Sequence, residues 1–79
     1  MHHAHVDSSS RLHRALEYLK ACGHFGCTTA ELQAHTGSMA PATDCSELRR
    51  NGYLIACDYE GKSTNGRRIY RYRFVGKKP

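Results

Sequence analysis

The segment Arg67-Arg68-Ile69-Tyr70-Arg71-Tyr72-Arg73-Phe74 interleaves guanidinium groups with aromatic rings. A β-strand sends successive side chains to opposite faces. In that conformation Tyr70, Tyr72 and Phe74 share one face, and Ile69, Arg71 and Arg73 share the other. The rings can bury against apolar neighbours, while guanidinium groups can grip phosphate or carboxylate oxygens in parallel pairs of hydrogen bonds. Lys62 adds charge just upstream, and Ser63, Thr64 and Asn65 supply neutral donors and acceptors between Lys62 and Arg67. This is the chemistry of holding a polyanion.

The charge distribution points the same way. The chain of 79 residues has a formal net charge of +5. Residues 1–61 carry five Lys/Arg (Arg11, Arg14, Lys20, Arg49, Arg50) against seven acids, a net of −2; residues 62–79 carry seven Lys/Arg and no acid, a net of +7. Basicity confined to one end implies a polyanionic partner, most often nucleic acid. The plain alternative is an edge strand whose Lys and Arg discourage sheet-to-sheet aggregation.

Other chemistries lack their signatures. His13, His24 and His35 have no Ser, Asp or metal partner by motif, and no Gly-rich phosphate loop opens a helix, so no enzyme and no cofactor is expected. The four cysteines (Cys22, Cys27, Cys45, Cys57) contain no C-x-x-C pair, which argues against a zinc ribbon. Cys22, His24 and Cys27 are a weak metal alternative. Cys45 and Cys57 stand where apolar residues belong and are expected to be buried free thiols in a reducing cytoplasm. Met1-His2-His3 could capture Cu(II) or Ni(II), but no role is assigned to it. No apolar run approaches the ~20 residues of a membrane span.

Periodicity predicts the elements that position these groups. Residues 1–7 read as a disordered tail. Asp7 to Ser10 offer an N-cap, and Leu12, Ala15, Leu16, Leu19 and Cys22 form the stripe of a first helix ending at Gly23. Phe25-Gly26-Cys27 reads as short and extended, a candidate third strand. Thr28 and Glu31 form a capping box opening a second helix that Gly37 closes. A third helix runs from about Pro41 to Asn51, with Pro41, Cys45, Leu48 and Gly52 on its buried stripe. The period then switches to two. Tyr53–Tyr59 and Arg67–Val75 are strands of a hairpin, Glu60–Gly66 is its loop with an Asn65-Gly66 turn signal, and 76–79 is a basic tail. One α+β domain over residues 8–75 follows, its aromatic hairpin face closing the helical core and its arginines facing out.

The order helix, helix, turn, helix, hairpin resembles the winged helix-turn-helix domains. Cys45-Ser46-Glu47-Leu48-Arg49-Arg50-Asn51-Gly52-Tyr53-Leu54-Ile55, with the later Arg71-Tyr72-Arg73, is similar to the small phage-encoded and prophage-encoded winged helix domains of bacteria. The likeness spans residues ~9–75. It implies a non-catalytic, bacterial cytoplasmic regulator that binds double-stranded DNA, as a monomer or homodimer. In that group a basic residue is common near the place of Asp44, and here the sequence departs from the pattern with an acid.

In such a domain the third helix enters the major groove and the wing contacts the backbone or minor groove. On the helix, Met39, Ala40, Thr43, Ser46, Glu47 and Arg50 lie opposite the buried stripe. Thr43 and Ser46 can bond base edges, Arg50 suits guanine or phosphate, Glu47 can accept from cytosine, and Met39 and Ala40 can touch a thymine methyl. On the wing, Lys62, Arg67, Arg68, Arg71 and Arg73 would follow phosphates, with Ser63, Thr64 and Asn65 at the minor groove. Arg68 could instead stack on a ring or pair with Asp58. Asp44 and Glu47 would cancel Arg49 and Arg50. That near-neutral helix sustains a rival expectation, a protein-binding domain that sets its basic wing against an acidic partner.

Overall fold

A computed structural model of the chain describes residues 9–79. The expected tail over 1–7, with Met1-His2-His3 and the capping candidates Asp7 and Ser8, lies outside the described residues. The order is α1 (Ser10–Cys22), a 3₁₀ turn (Gly23–Phe25), β1 (Cys27–Thr28), α2 (Thr29–Thr36), α3 (Pro41–Arg50), β2 (Tyr53–Lys62) and β3 (Arg68–Lys77). The strands form one antiparallel sheet in the order β1-β3-β2. The architecture is α+β, three α-helices packed on one side of a three-stranded sheet. Among the described residues, no helix is long and apolar enough to cross a membrane.

Local chemistry sets the helix ends. The Leu12 N–H donates to Ser9 Oγ at 3.2 Å, capping α1. At α2 the Glu31 N–H donates to Thr28 Oγ1 at 3.2 Å and the Thr28 N–H donates to the Glu31 carboxylate at 2.8 Å, completing the capping box. The backbone hydrogen bond from Thr28, then its side chain, holds Glu31 below the usual carboxylate range. Its contribution to stability is therefore present above the ordinary carboxylate pKa and fades as pH falls through the lowered folded value. Thr28→Ala is expected to cost about 1 kcal/mol, read as a lower urea midpoint at neutral pH. Gly37, at φ +74°, ends α2 in the left-handed region, which a side chain would strain.

The core is Leu12, Ala15, Leu16 and Leu19 of α1, Cys27, Leu32, Cys45, Leu48, Ile55 and Tyr72, all buried. Central β3 brings Tyr72 opposite Cys27 on one side and Cys57 on the other. A Cβ on Gly26, already at positive φ, would collide with the Tyr72 carbonyl and Arg73 Cγ. Gly26 thus lets the turn lie against β3.

Several expectations are corrected. Residues 23–25 form a 3₁₀ turn, and the short strand is Cys27–Thr28. Both hairpin strands are longer than expected. Gly76 and Lys77 pair with Leu54 and Tyr53, and the Lys78 N–H donates to the Gly52 carbonyl at 2.7 Å, so 76–78 belong to the fold rather than to a tail. Of the three rings on β3 only Tyr72 is buried, with Tyr70 and Phe74 half-buried. Cys57 is exposed: β2 is an edge strand, and Ile55 is its only buried residue. All four cysteines are free, and burial pushes the Cys27 and Cys45 thiols up to about 12. Alkylation in native buffer should label Cys57 rapidly and leave Cys27 and Cys45 slow; fast labelling of Cys45 would contradict this packing.

Candidate nucleic-acid interface

On α3 the structure leaves Thr43, Ser46 and Arg50 exposed, with Met39 and Ala40 exposed just before the helix. Arg50 has no ion-pair partner among the described residues. Glu47 does not stand free on that surface. Arg11 of α1 donates to the Glu47 carboxylate at 2.9 Å and to Asp44 as well. Asp44 is fully buried, and its Oδ2 has no hydrogen-bond partner. Burial works against the Arg11 charge, but hydrogen bonds and attraction from Glu47 and Asp44 raise its pKa all the same. The acids of α3 are thus neutralised from α1, not by Arg49 and Arg50. Arg49 instead donates through Nε and an η nitrogen to the Ile55 carbonyl at 3.1 and 2.8 Å, tying α3 to β2.

The hairpin loop closes on its own backbone. The Ser63 N–H donates to the Arg67 carbonyl at 2.8 Å, and the Gly66 N–H to the Ser63 carbonyl at 2.9 Å. The Ser63 hydroxyl bonds to Asn65 Oδ1, and the Arg67 N–H lies near both side chains. Ser63 and Asn65 therefore shape the turn, Asn65 in keeping with the Asn65-Gly66 signal and Ser63 in addition to it. Thr64 is exposed at the tip. Lys62, Arg67 and Arg68 are exposed and have no ion-pair partner among the described residues. A groove joins this loop to the start of α2, between Thr29, Ala30 and Gln33 on one side and Thr64, Arg67 and Arg68 on the other.

Arg71 and Arg73 are placed differently from expectation. They lie on the face away from the core, but both are half-buried and occupied. Arg71 Nε donates to Glu60 at 2.7 Å and a terminal nitrogen donates to the Phe25 carbonyl at 2.9 Å. Arg73 Nε donates to the His24 carbonyl at 3.1 Å, and its guanidinium pairs with Asp58. The Arg71 pKa is raised, first by the hydrogen bond to Glu60. The partner of Asp58 is Arg73 and not Arg68. These arginines fasten the 3₁₀ turn to the hairpin.

Strand register decides which cations share a face. Tyr59 pairs with Tyr70 and Gly61 with Ile69, so Glu60 is the extra residue of a β-bulge. Without it, Tyr59 and Lys62, three residues apart, would point to opposite faces. The bulge brings Lys62, opposite Arg68, onto the face of Tyr59 and Tyr70. Elsewhere, His35 stacks on Tyr18 with ring centroids 4.0 Å apart. Among the described residues no group of three His, Cys, Asp or Glu side chains is arranged to hold a metal ion. Sequence reasoning missed Arg11 as the partner of α3, since its carboxylate partners lie 33 and 36 residues away. Comparison with protein-family models, curated proteins and solved structures finds no match for this chain.

Proposed function

We propose that this chain is a winged helix-turn-helix domain that binds double-stranded DNA without catalysis, α2 and α3 being the helix-turn-helix and the β2–β3 hairpin the wing. One observation carries the reading. Every acid among the described residues is engaged: Glu17 with Lys20, Glu31 in the α2 cap, Asp44 and Glu47 with Arg11, Asp58 with Arg73, and Glu60 with Arg71. The cations left without ion pairs include Arg50 on α3 and Lys62, Arg67 and Arg68 at the hairpin end. A surface cleared of competing carboxylates in this way suits a phosphate backbone.

In this reading Thr43, Ser46 and Arg50 face base edges in the major groove, with Met39 and Ala40 against apolar base edges. Glu47 is withdrawn from that surface by Arg11. Lys62, Arg67 and Arg68 neutralise phosphates, with Thr64 at the tip, while Arg71 and Arg73 serve the fold. The role that fits is a small regulator of phage or prophage type in a bacterial cytoplasm, acting as monomer or homodimer with no cofactor.

The test is the salt dependence of duplex binding. Each neutralised phosphate adds a slope of ~0.9 to log K against log salt. Lys62→Ala/Arg67→Ala/Arg68→Ala should flatten it by about 2–3 units, whereas Arg71→Ala/Arg73→Ala should leave it nearly unchanged. Arg50→Ala should cost about 1–3 kcal/mol on a preferred site and much less on random duplex. A wild-type chain that binds no duplex at low salt would move the reading to a domain that holds an acidic protein partner.

A further inference from the structure

We propose that the outer half of the hairpin is a nucleobase-stacking site for single-stranded DNA, in which Tyr59 receives an unpaired base and Lys62 and Arg68 hold its phosphates. It rests on the DNA-binding reading and adds a second class of substrate, an unpaired strand. A shallow surface dish is lined by Tyr59, Lys62, Arg68 and Tyr70 alone. The two rings tilt at 55° with centroids 5.5 Å apart. Tyr70 supports Tyr59 from the neighbouring strand, and Tyr59 is 55% exposed.

A cross-strand ring pair by itself does no more than steady a hairpin. That role explains neither the exposed ring of Tyr59 nor the cations beside it. The bulge at Glu60 is what places Lys62 on this face, and it leaves the Glu60 carboxylate on Arg71. The dish therefore offers an aromatic plane and two unopposed cations, with no acid in its lining. A flat ring that carries its own anion fits that combination, and successive nucleotides of a single strand supply it repeatedly. Bases inside a duplex present edges and not faces, so duplex DNA cannot use the Tyr59 ring in this way.

The experiment compares two fluorescently labelled strands of about ten nucleotides, oligothymidine and its abasic counterpart, with equal numbers of phosphates. The full chain should bind the thymidine strand roughly 5- to 100-fold more tightly. Tyr59→Ala should remove most of that preference without changing the salt slope, and Tyr59→Phe should retain it. If circular dichroism shows Tyr59→Ala unfolded, Tyr59→Leu keeps an apolar cross-strand contact without a π-face and should lose the preference equally. Equal affinity for thymidine and abasic strands, or a preference that survives both substitutions, would overturn the proposal. Duplex binding that persists alongside equal strand affinities overturns this site alone. Failure to bind either strand or duplex overturns the DNA-binding reading with it.

Discussion

Arg11→Ala is expected to lower the unfolding free energy by about 3 kcal/mol, the lower end of the range for breaking a buried ion pair. Asp44 is fully buried, and one of its oxygens already lacks a partner. Removing Arg11 strands a carboxylate at the α1–α3 contact and frees Glu47 as well. The lower end applies because the Arg11 side chain is itself 38% exposed, so water can reach part of the gap. A domain of this size has only about 4–10 kcal/mol in total, so the loss should show as a marked fall in urea midpoint with an unchanged m-value. Replacing both partners, as Arg11→Met/Asp44→Leu, should recover much of the loss because no unpaired charge remains. A single variant within about 0.5 kcal/mol of wild type, the scatter of ordinary surface changes, would mean that Asp44 is solvated and the clamp is not structural.

Tyr72→Ala should be at least as damaging, at about 3–5 kcal/mol. Tyr72 sits on the central strand, is 5% exposed, and closes the core beneath α1 and α3 together with Ile55. Truncation opens a cavity where two strands and the helices meet. Tyr72→Phe keeps the ring and should cost less than about 1.5 kcal/mol. Burial, the first cause, raises the phenol pKa, so the neutral form is the one the fold favours. Stability should therefore hold below the unfolded phenol pKa of about 10 and decline as pH rises through the folded value. Urea titrations at pH 7 and above pH ~10 would check both statements. A Tyr72→Ala loss below about 1 kcal/mol would show that the hairpin does not seal the core.

Much of the fold was legible because its signals are local. The stripe of α1, the Thr28/Glu31 capping box, Gly37 after α2 and Pro41 at the start of α3 each act within one or two helical turns. The alternation over residues 68–74 was legible for the same reason, and it correctly put Tyr72 in the core and Arg71 and Arg73 on the other face. What alternation cannot state is how far a face is covered. Cys57 shares the face of Ile55 yet is exposed, because on an edge strand coverage depends on neighbours that the strand's own alternation does not specify.

Charge pairing lay further out of reach. Asp44 falls on the flank of the α3 stripe, so its burial left a faint trace in the sequence. Its partner Arg11 comes from another helix, and only packing brings the two together. Asp58 and Glu60 likewise stand on the strand opposite Arg71 and Arg73, and Asp58 pairs with Arg73 rather than with its register partner Arg71, which Glu60 takes. Counting charges along the chain located the basic end. Coulomb attraction falls off with distance in space and takes no account of sequence separation. Which basic groups remain open to a polyanion was therefore decided by tertiary structure alone.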